Sequence, residues 1–272
     1  MKKVNIFATF LLSLIIIFTF SFMPTNALAS DDLELNWYFV NREKGKTPEP
    51  PKESADFFSD FGAYYVGDTN SKVLYLTFDE GYENGNTPKI LDILKDEQVP
   101  AAFFVVKPYI KEQPEIVKRM VDEGHLVCNH TSHHPSMASI LDTEKFKKEF
   151  TEVEEEFKAL TSQDMPKFFR PPMGKYSKNS LKKTQDLEYK TIFWSFAYKD
   201  WLVDNQPEES AAIKKIVNGA HPGSIMLLHA VSDTNTKILK TVIQELKAQG
   251  YEFKSLNELP KKNIVSFETI FF

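Results

Sequence analysis

The chain has 272 residues, 42% of them hydrophobic and 26% charged, and a formal net charge of -5. That length and apolar content can supply one sizeable core, while mild acidity without a long Lys/Arg block excludes a protein that tracks nucleic-acid phosphates. Cys128 is the single cysteine, which excludes an intrachain disulfide and leaves stability to the core.

At the N-terminus, Lys2 and Lys3 precede an apolar stretch over 4–23, and Ala27-Leu28-Ala29 offers small residues at a cleavage site. This is the layout of a secretory signal over 1–29, cut after Ala29. The same stretch could also span a bilayer as an uncleaved anchor. On either reading the remainder is expected outside the cytoplasm, with this segment its one tie to a membrane. Residues 30–72 read as a lead. Its Trp37, Tyr38 and Phe39 are expected to dock on the domain, and Pro48, Pro50 and Pro51 mark an extended surface segment over 44–54.

From residue 73 apolar runs alternate with helical patterns. Strands are expected at 73–78, 101–106, 125–128, 167–169, 191–196, 224–228 and 251–255. Helices are expected at 87–95, 114–123, 142–160, 177–185, 207–217 and 233–249. Gly124 and Gly250 stand where helices should stop, and Asp142 and Asp233 where they should start. The alternation predicts an α/β fold with about seven parallel strands in a distorted (β/α) barrel, a single catalytic domain over 73–260. Residues 261–272 form a tail ending in Ile270-Phe271-Phe272, without an assigned role.

Polar clusters follow five of the apolar runs: Asp79-Glu80, Asn129 through His134, Arg170-Pro171-Pro172, Lys199-Asp200-Trp201, and His229. The C-terminal ends of parallel strands are where α/β proteins gather catalytic groups, so the chain reads as a hydrolytic enzyme. His130 and His134 are four apart, so a helical turn would put both imidazoles within reach of one metal ion; a solvated polar loop is the alternative. Asp79 and Glu80 diverge on leaving their strand, so one could bind a metal while the other acts as a base; the plain alternative is a helix cap or surface turn. Pro171 and Pro172 fix the direction of Arg170, whose fork could hold a carboxylate ionised. Asp200 could orient His229 as a general acid, although a lone histidine there could equally be a satisfied core residue. Cys128 reads as a buried, inert thiol.

In order, the clusters Thr77-Phe78-Asp79-Glu80-Gly81, His130-Thr131-Ser132-His133-His134, Arg170-Pro171-Pro172-Met173-Gly174, Asp200-Trp201 and Leu227-Leu228-His229 resemble the five motifs of the polysaccharide deacetylases, carbohydrate esterase family four. The resemblance covers about 35–260. Its wider stretches TFDEGYENGNTPKIL, NHTSHHPSM and HPGSIMLLHAVS are most similar to the branch that de-N-acetylates N-acetylmuramic acid on the route to muramic δ-lactam in spore cortex. It implies metal-assisted amide hydrolysis on peptidoglycan glycan strands, with a divalent ion, zinc by expectation. It further implies Asp79 as base, His229 as acid, Arg170 orienting the base and Asp200 pairing with the acid. Glu80, His130 and His134 would be metal ligands, and Leu227, Pro171 and Trp201 would bind substrate. Two positions depart from the family pattern: Glu80 stands where the family has its third metal-binding aspartate, and Ala197 where many members carry a further acid. The rival readings are a deacetylase of N-acetylglucosamine in peptidoglycan or chitin-like oligosaccharides, and a non-catalytic glycan-binding module.

Overall fold

The computed structural model describes residues 31–40 and 44–261. The expected signal over 1–29 and all but the first residue of the tail over 261–272 lie outside the described residues. In chain order the strands are β1 (Leu35–Asn36), β2 (Ala63–Tyr64), β3 (Val73–Glu80), β4 (Ala101–Val105), β5 (Leu126–Asn129), β6 (Phe168–Phe169), β7 (Lys175–Tyr176), β8 (Lys190–Ile192), β9 (Phe196–Ala197), β10 (Ser224–His229) and β11 (Glu252–Phe253). The helices are α1 (Thr87–Asp96), α2 (Lys107–Glu112), α3 (Pro114–Asp122), α4 (Thr143–Thr161), α5 (Lys178–Asp186), α6 (Glu209–Gly219) and α7 (Asp233–Ala248). The six expected helices all form. The short α2, which starts with Pro at its first turn, was not expected.

Nine parallel strands form the main sheet in the order β2-β8-β6-β5-β4-β3-β10-β9, with β11 beside β3. The single strand expected at 191–196 is two: β8 lies next to the β2 edge and β9 forms the opposite edge of that order. Only three residues join them, so the sheet must curl until its edges approach, giving the barrel-like form. Phe193 N donates to Tyr64 O and Ser195 N to Ile225 O, carrying the chain from one edge to the other.

Alternation along the strands builds two apolar layers. Leu74, Leu76 and Phe78 of β3 face outward into a core shared with Ile90, Tyr109 and Leu239 of the helices. Val73 and Tyr75 face inward with Phe104, Cys128 and Ile225. Each fully buried Leu or Phe contributes about 1.5–3 kcal/mol, so the two layers carry the stability that no disulfide supplies. Burial raises the pKa of the Cys128 thiol, keeping it in its unreactive form.

The helix ends follow their sequence signals with one exception. Gly124 and Gly250 both take positive φ (81° and 84°) where helices stop, and Asp142 caps α4 by accepting from Lys145 N. At α7 the cap is Ser232, whose hydroxyl accepts from Asn235 N, and Asp233 is the first helical residue.

The lead is built into the domain, so the boundary expected at residue 73 falls too late. β2 is an edge of the main sheet, and β1 pairs antiparallel with β7. Trp37 stacks on Phe193 at 4.4 Å between centroids and donates its indole N–H to Trp194 O, while Tyr38 remains exposed and Phe39 lines the cavity described next.

Candidate active site

The strand ends surround a cavity of about 730 Å³, a size that accepts an amino sugar. Asp79 and His229 both line it, and they stand side by side because β3 and β10 pair in register at those two residues. The alternation that turns Phe78 outward turns Asp79 inward. Arg170 extends across the sheet from the end of β6, fully buried. It donates from Nη1 to Asp79 Oδ1 (2.6 Å), from Nη2 to Thr77 Oγ1 (2.8 Å) and from Nε to Ile192 O (3.1 Å). Its guanidinium carbon also sits 4.2 Å from the Phe104 ring centroid. Burial is the largest single influence on Asp79 and would raise its pKa, but the Arg170 charge, His130, His229 and the Arg170 hydrogen bond together outweigh it, and the carboxyl ends below its ordinary value.

Behind His229, Asp200 is completely buried. Its Oδ1 accepts from His229 Nδ1 at 2.7 Å and its Oδ2 from the His229 backbone N–H at 2.9 Å. This fixes the tautomer and leaves Nε2 for the cavity. Burial pushes the His229 pKa down, yet the Asp200 hydrogen bond and charge reverse this and hold it above 6.5. A residue that the motif pattern does not mark completes the arrangement. Asn235, at the start of α7, donates to Asp200 Oδ2 (2.6 Å) and His229 O (3.1 Å), and accepts from Tyr198 OH. Its only sequence signal is its place three residues after the Ser232 cap.

The segment after β5 is a folded loop and not the helical turn that the four-residue spacing suggested. Asn129 Oδ1 accepts from Thr131 N, and Thr131 Oγ1 accepts from His134 N. Thr131 and His134 take positive φ (74° and 56°), unusual for a β-branched residue and a form of strain that a functional loop tolerates. The imidazoles of His130 and His134 still meet, 4.9 Å apart between centroids and near perpendicular. His130 Nδ1 lies 2.8 Å from the Arg170 carbonyl, which can only accept, so the proton is on Nδ1 and Nε2 presents a lone pair. That Nε2 is 3.7 Å from Asp79 Oδ2. Burial lowers the His130 pKa to about 4 and also lowers that of His134, keeping both rings neutral as metal ligands must be. His133 points away, exposed and bonded to Glu149.

Two expected site residues are not where they were expected. Glu80 follows Leu74, Leu76 and Phe78 onto the outer face of β3, opposite Asp79, and does not line the cavity. It is fully buried with neither carboxylate oxygen hydrogen-bonded; burial first, then Glu83 and Asp79, raise its pKa well above the usual range. Among the described residues no three His, Cys, Asp or Glu side chains are gathered to hold an ion, so the expected Glu80, His130 and His134 triad is not assembled. The two histidines fit a divalent ion by donor type and by the closeness of their rings, His130 also by tautomer, and Glu80 does not. Pro171 is likewise buried and off the cavity wall; its carbonyl accepts from Gly174 N, forming the turn that presents Met173 and Gly174 to the cavity instead. Leu227 and Trp201 do line it, and the Trp201 ring lies 5.5 Å from that of His229.

Glu80→Gln is therefore expected to leave zinc affinity unchanged, as read by titration calorimetry. It also has a pH signature. An acid whose folded pKa is raised contributes stability below its ordinary 4.5 that is lost as pH climbs toward the folded value. Thermal melts from pH 5 to pH 8 should show wild type losing stability relative to Glu80→Gln, and parallel curves would mean that Glu80 is not protonated in the fold.

A family sequence model described as "Polysaccharide deacetylase" matches residues 66–192. The chain is 41% identical over 225 residues to the peptidoglycan-N-acetylmuramic acid deacetylase PdaA of Bacillus subtilis, covering 83% of this chain and 85% of that protein. The solved structure of Bacillus subtilis PdaA, a family 4 carbohydrate esterase, superposes with a TM-score of 0.81, covering 84% of this chain and 97% of that one. A peptidoglycan-N-acetylglucosamine deacetylase of Bacillus cereus is 32% identical over 196 residues, covering 71% of this chain and 70% of that protein.

Proposed function

Because the chain belongs to the polysaccharide deacetylase family, we propose that it hydrolyses the N-acetyl group of N-acetylmuramic acid in peptidoglycan glycan strands, on the route to muramic δ-lactam. The observation that carries the reading is the in-register pair Asp79 and His229, one carboxylate held ionised by Arg170 and one imidazole held protonatable by Asp200.

The division of labour follows from those environments. Asp79, ionised at neutral pH, takes a proton from the attacking water as it adds to the acetyl carbonyl. His229 donates its Nε2 proton to the sugar nitrogen as the C–N bond breaks, releasing acetate and a free amine. Arg170 and Asp200 touch neither reacting atom; they set the charge and direction of the two that do. His130 and His134 would hold a divalent ion, zinc by donor type, and the chemistry it supplies when bound is polarisation of the acetyl carbonyl. Leu227 and Trp201 give the cavity apolar walls. The mouth carries the exposed rings of Tyr38, Tyr82 and Trp201, surfaces on which sugar rings can stack. A wall polymer as substrate accords with an exported enzyme, which rests on reading residues 1–29 as a signal.

N-acetylmuramic acid is favoured over N-acetylglucosamine by the higher identity to the muramic-acid enzyme. Mass spectrometry of purified glycan strands after incubation with the chain tests this. The expected result is a loss of one acetyl group, replaced by hydrogen, located on muramic acid. Loss confined to glucosamine would assign the chain to the other branch, and loss from neither sugar would leave a glycan-binding module.

A further inference from the structure

The acid and base account for the amide bond but not for the sugar that bears it. N-acetylmuramic acid differs from N-acetylglucosamine by a lactyl ether that ends, where no peptide is attached, in a carboxylate. Selecting the first over the second therefore calls for a cation at the cavity. Among the described residues lining the catalytic cavity there is one lysine and no arginine: Lys199, exposed, immediately before Asp200. Arg170 cannot take this part, since it is fully buried and its three donor groups are committed to Asp79, Thr77 and Ile192.

The surroundings of Lys199 reinforce its charge. Phe39 and Ala197 form a wall shared with a second cavity of about 520 Å³. That cavity is lined by Lys44, Lys214 and Lys215 among others, and by no carboxylate among the described residues. Positive charge gathered beside a low-dielectric wall raises the potential on this side of the site.

We propose that Lys199 is a specificity-determining residue, pairing with the free lactyl carboxylate of the sugar whose acetyl group is removed. This rests on the peptidoglycan reading above. An ammonium on a flexible stem makes a point-charge contact that the neutral lactyl amide, or a sugar lacking the ether, cannot match.

Four rate measurements test it: wild type and Lys199→Met, each on strands freed of stem peptide, with the lactyl carboxylate either free or converted chemically to its neutral amide. Neutralising the substrate should lower wild-type kcat/KM about tenfold, mainly through KM. Lys199→Met should be as slow on the carboxylate as wild type is on the amide, with no further loss on the amide. Lys199→Arg should restore part of the preference, and added salt should shrink the wild-type preference. A Lys199→Met protein that still prefers the carboxylate by the wild-type margin overturns the proposal while leaving the peptidoglycan reading intact. A wild type that removes no acetyl from muramic acid in either form, while releasing it from N-acetylglucosamine oligomers, overturns both.

Discussion

Asp79→Asn is expected to lower kcat/KM by about a hundredfold or more while the chain stays folded. An amide cannot accept the water's proton, and no described carboxylate replaces it at the cavity, since Glu80 lies on the other face of β3. Removing one partner of a buried ion pair can cost about 3–5 kcal/mol, but here the retained amide oxygen still accepts from Arg170 Nη1. Thr77 Oγ1 and Ile192 O continue to hold the rest of the guanidinium. Circular dichroism should therefore show a native spectrum with a lowered Tm, and acetate release should fall almost to background. A folded variant that turns over at the wild-type rate would assign the base to another group.

His229→Ala should produce a loss of similar size with a different signature. The departing nitrogen would have to leave without a proton from Nε2, while zinc affinity should be unchanged because His130 and His134 come from the separate loop after β5. The wild-type profile should be a broad bell. Its acid limb is set by Asp79, held below its ordinary value because Arg170, His130 and His229 together outweigh its burial. Its alkaline limb is set by His229, raised above 6.5 because Asp200 outweighs its burial. Activity needs Asp79 ionised and His229 charged, so it persists between these limits and falls as pH rises through the His229 value. The residual rate of His229→Ala should lack that alkaline limb. Zinc content falling in step with activity would make His229 a ligand instead of an acid.

The sequence carried the α/β alternation, the six longer helices and the strand ends that bear Asp79, His130, Arg170, Asp200 and His229. These signals are local: hydrophobic period, glycine stops, and polar residues where an apolar run ends. Tertiary structure alone decided how the pieces meet. The split of 191–196 into β8 and β9 depends on the sheet curling until the β9 edge is three residues from β8, the strand beside the opposite edge, which no periodicity in a short apolar run reveals. The pairing of His130 with His134 arises from two positive-φ residues held by Asn129 and Thr131, so the spacing suggested the right partners through the wrong backbone. The role of Asn235 appears only when α7 is docked behind Asp200. For Glu80 the family motif and the strand pulled in opposite directions. β3 continues through Glu80, and its two-residue alternation sets this side chain beside the outer core while Asp79 enters the cavity. The motif names residue types in order; the length of the strand determines which of two adjacent carboxylates can reach the substrate.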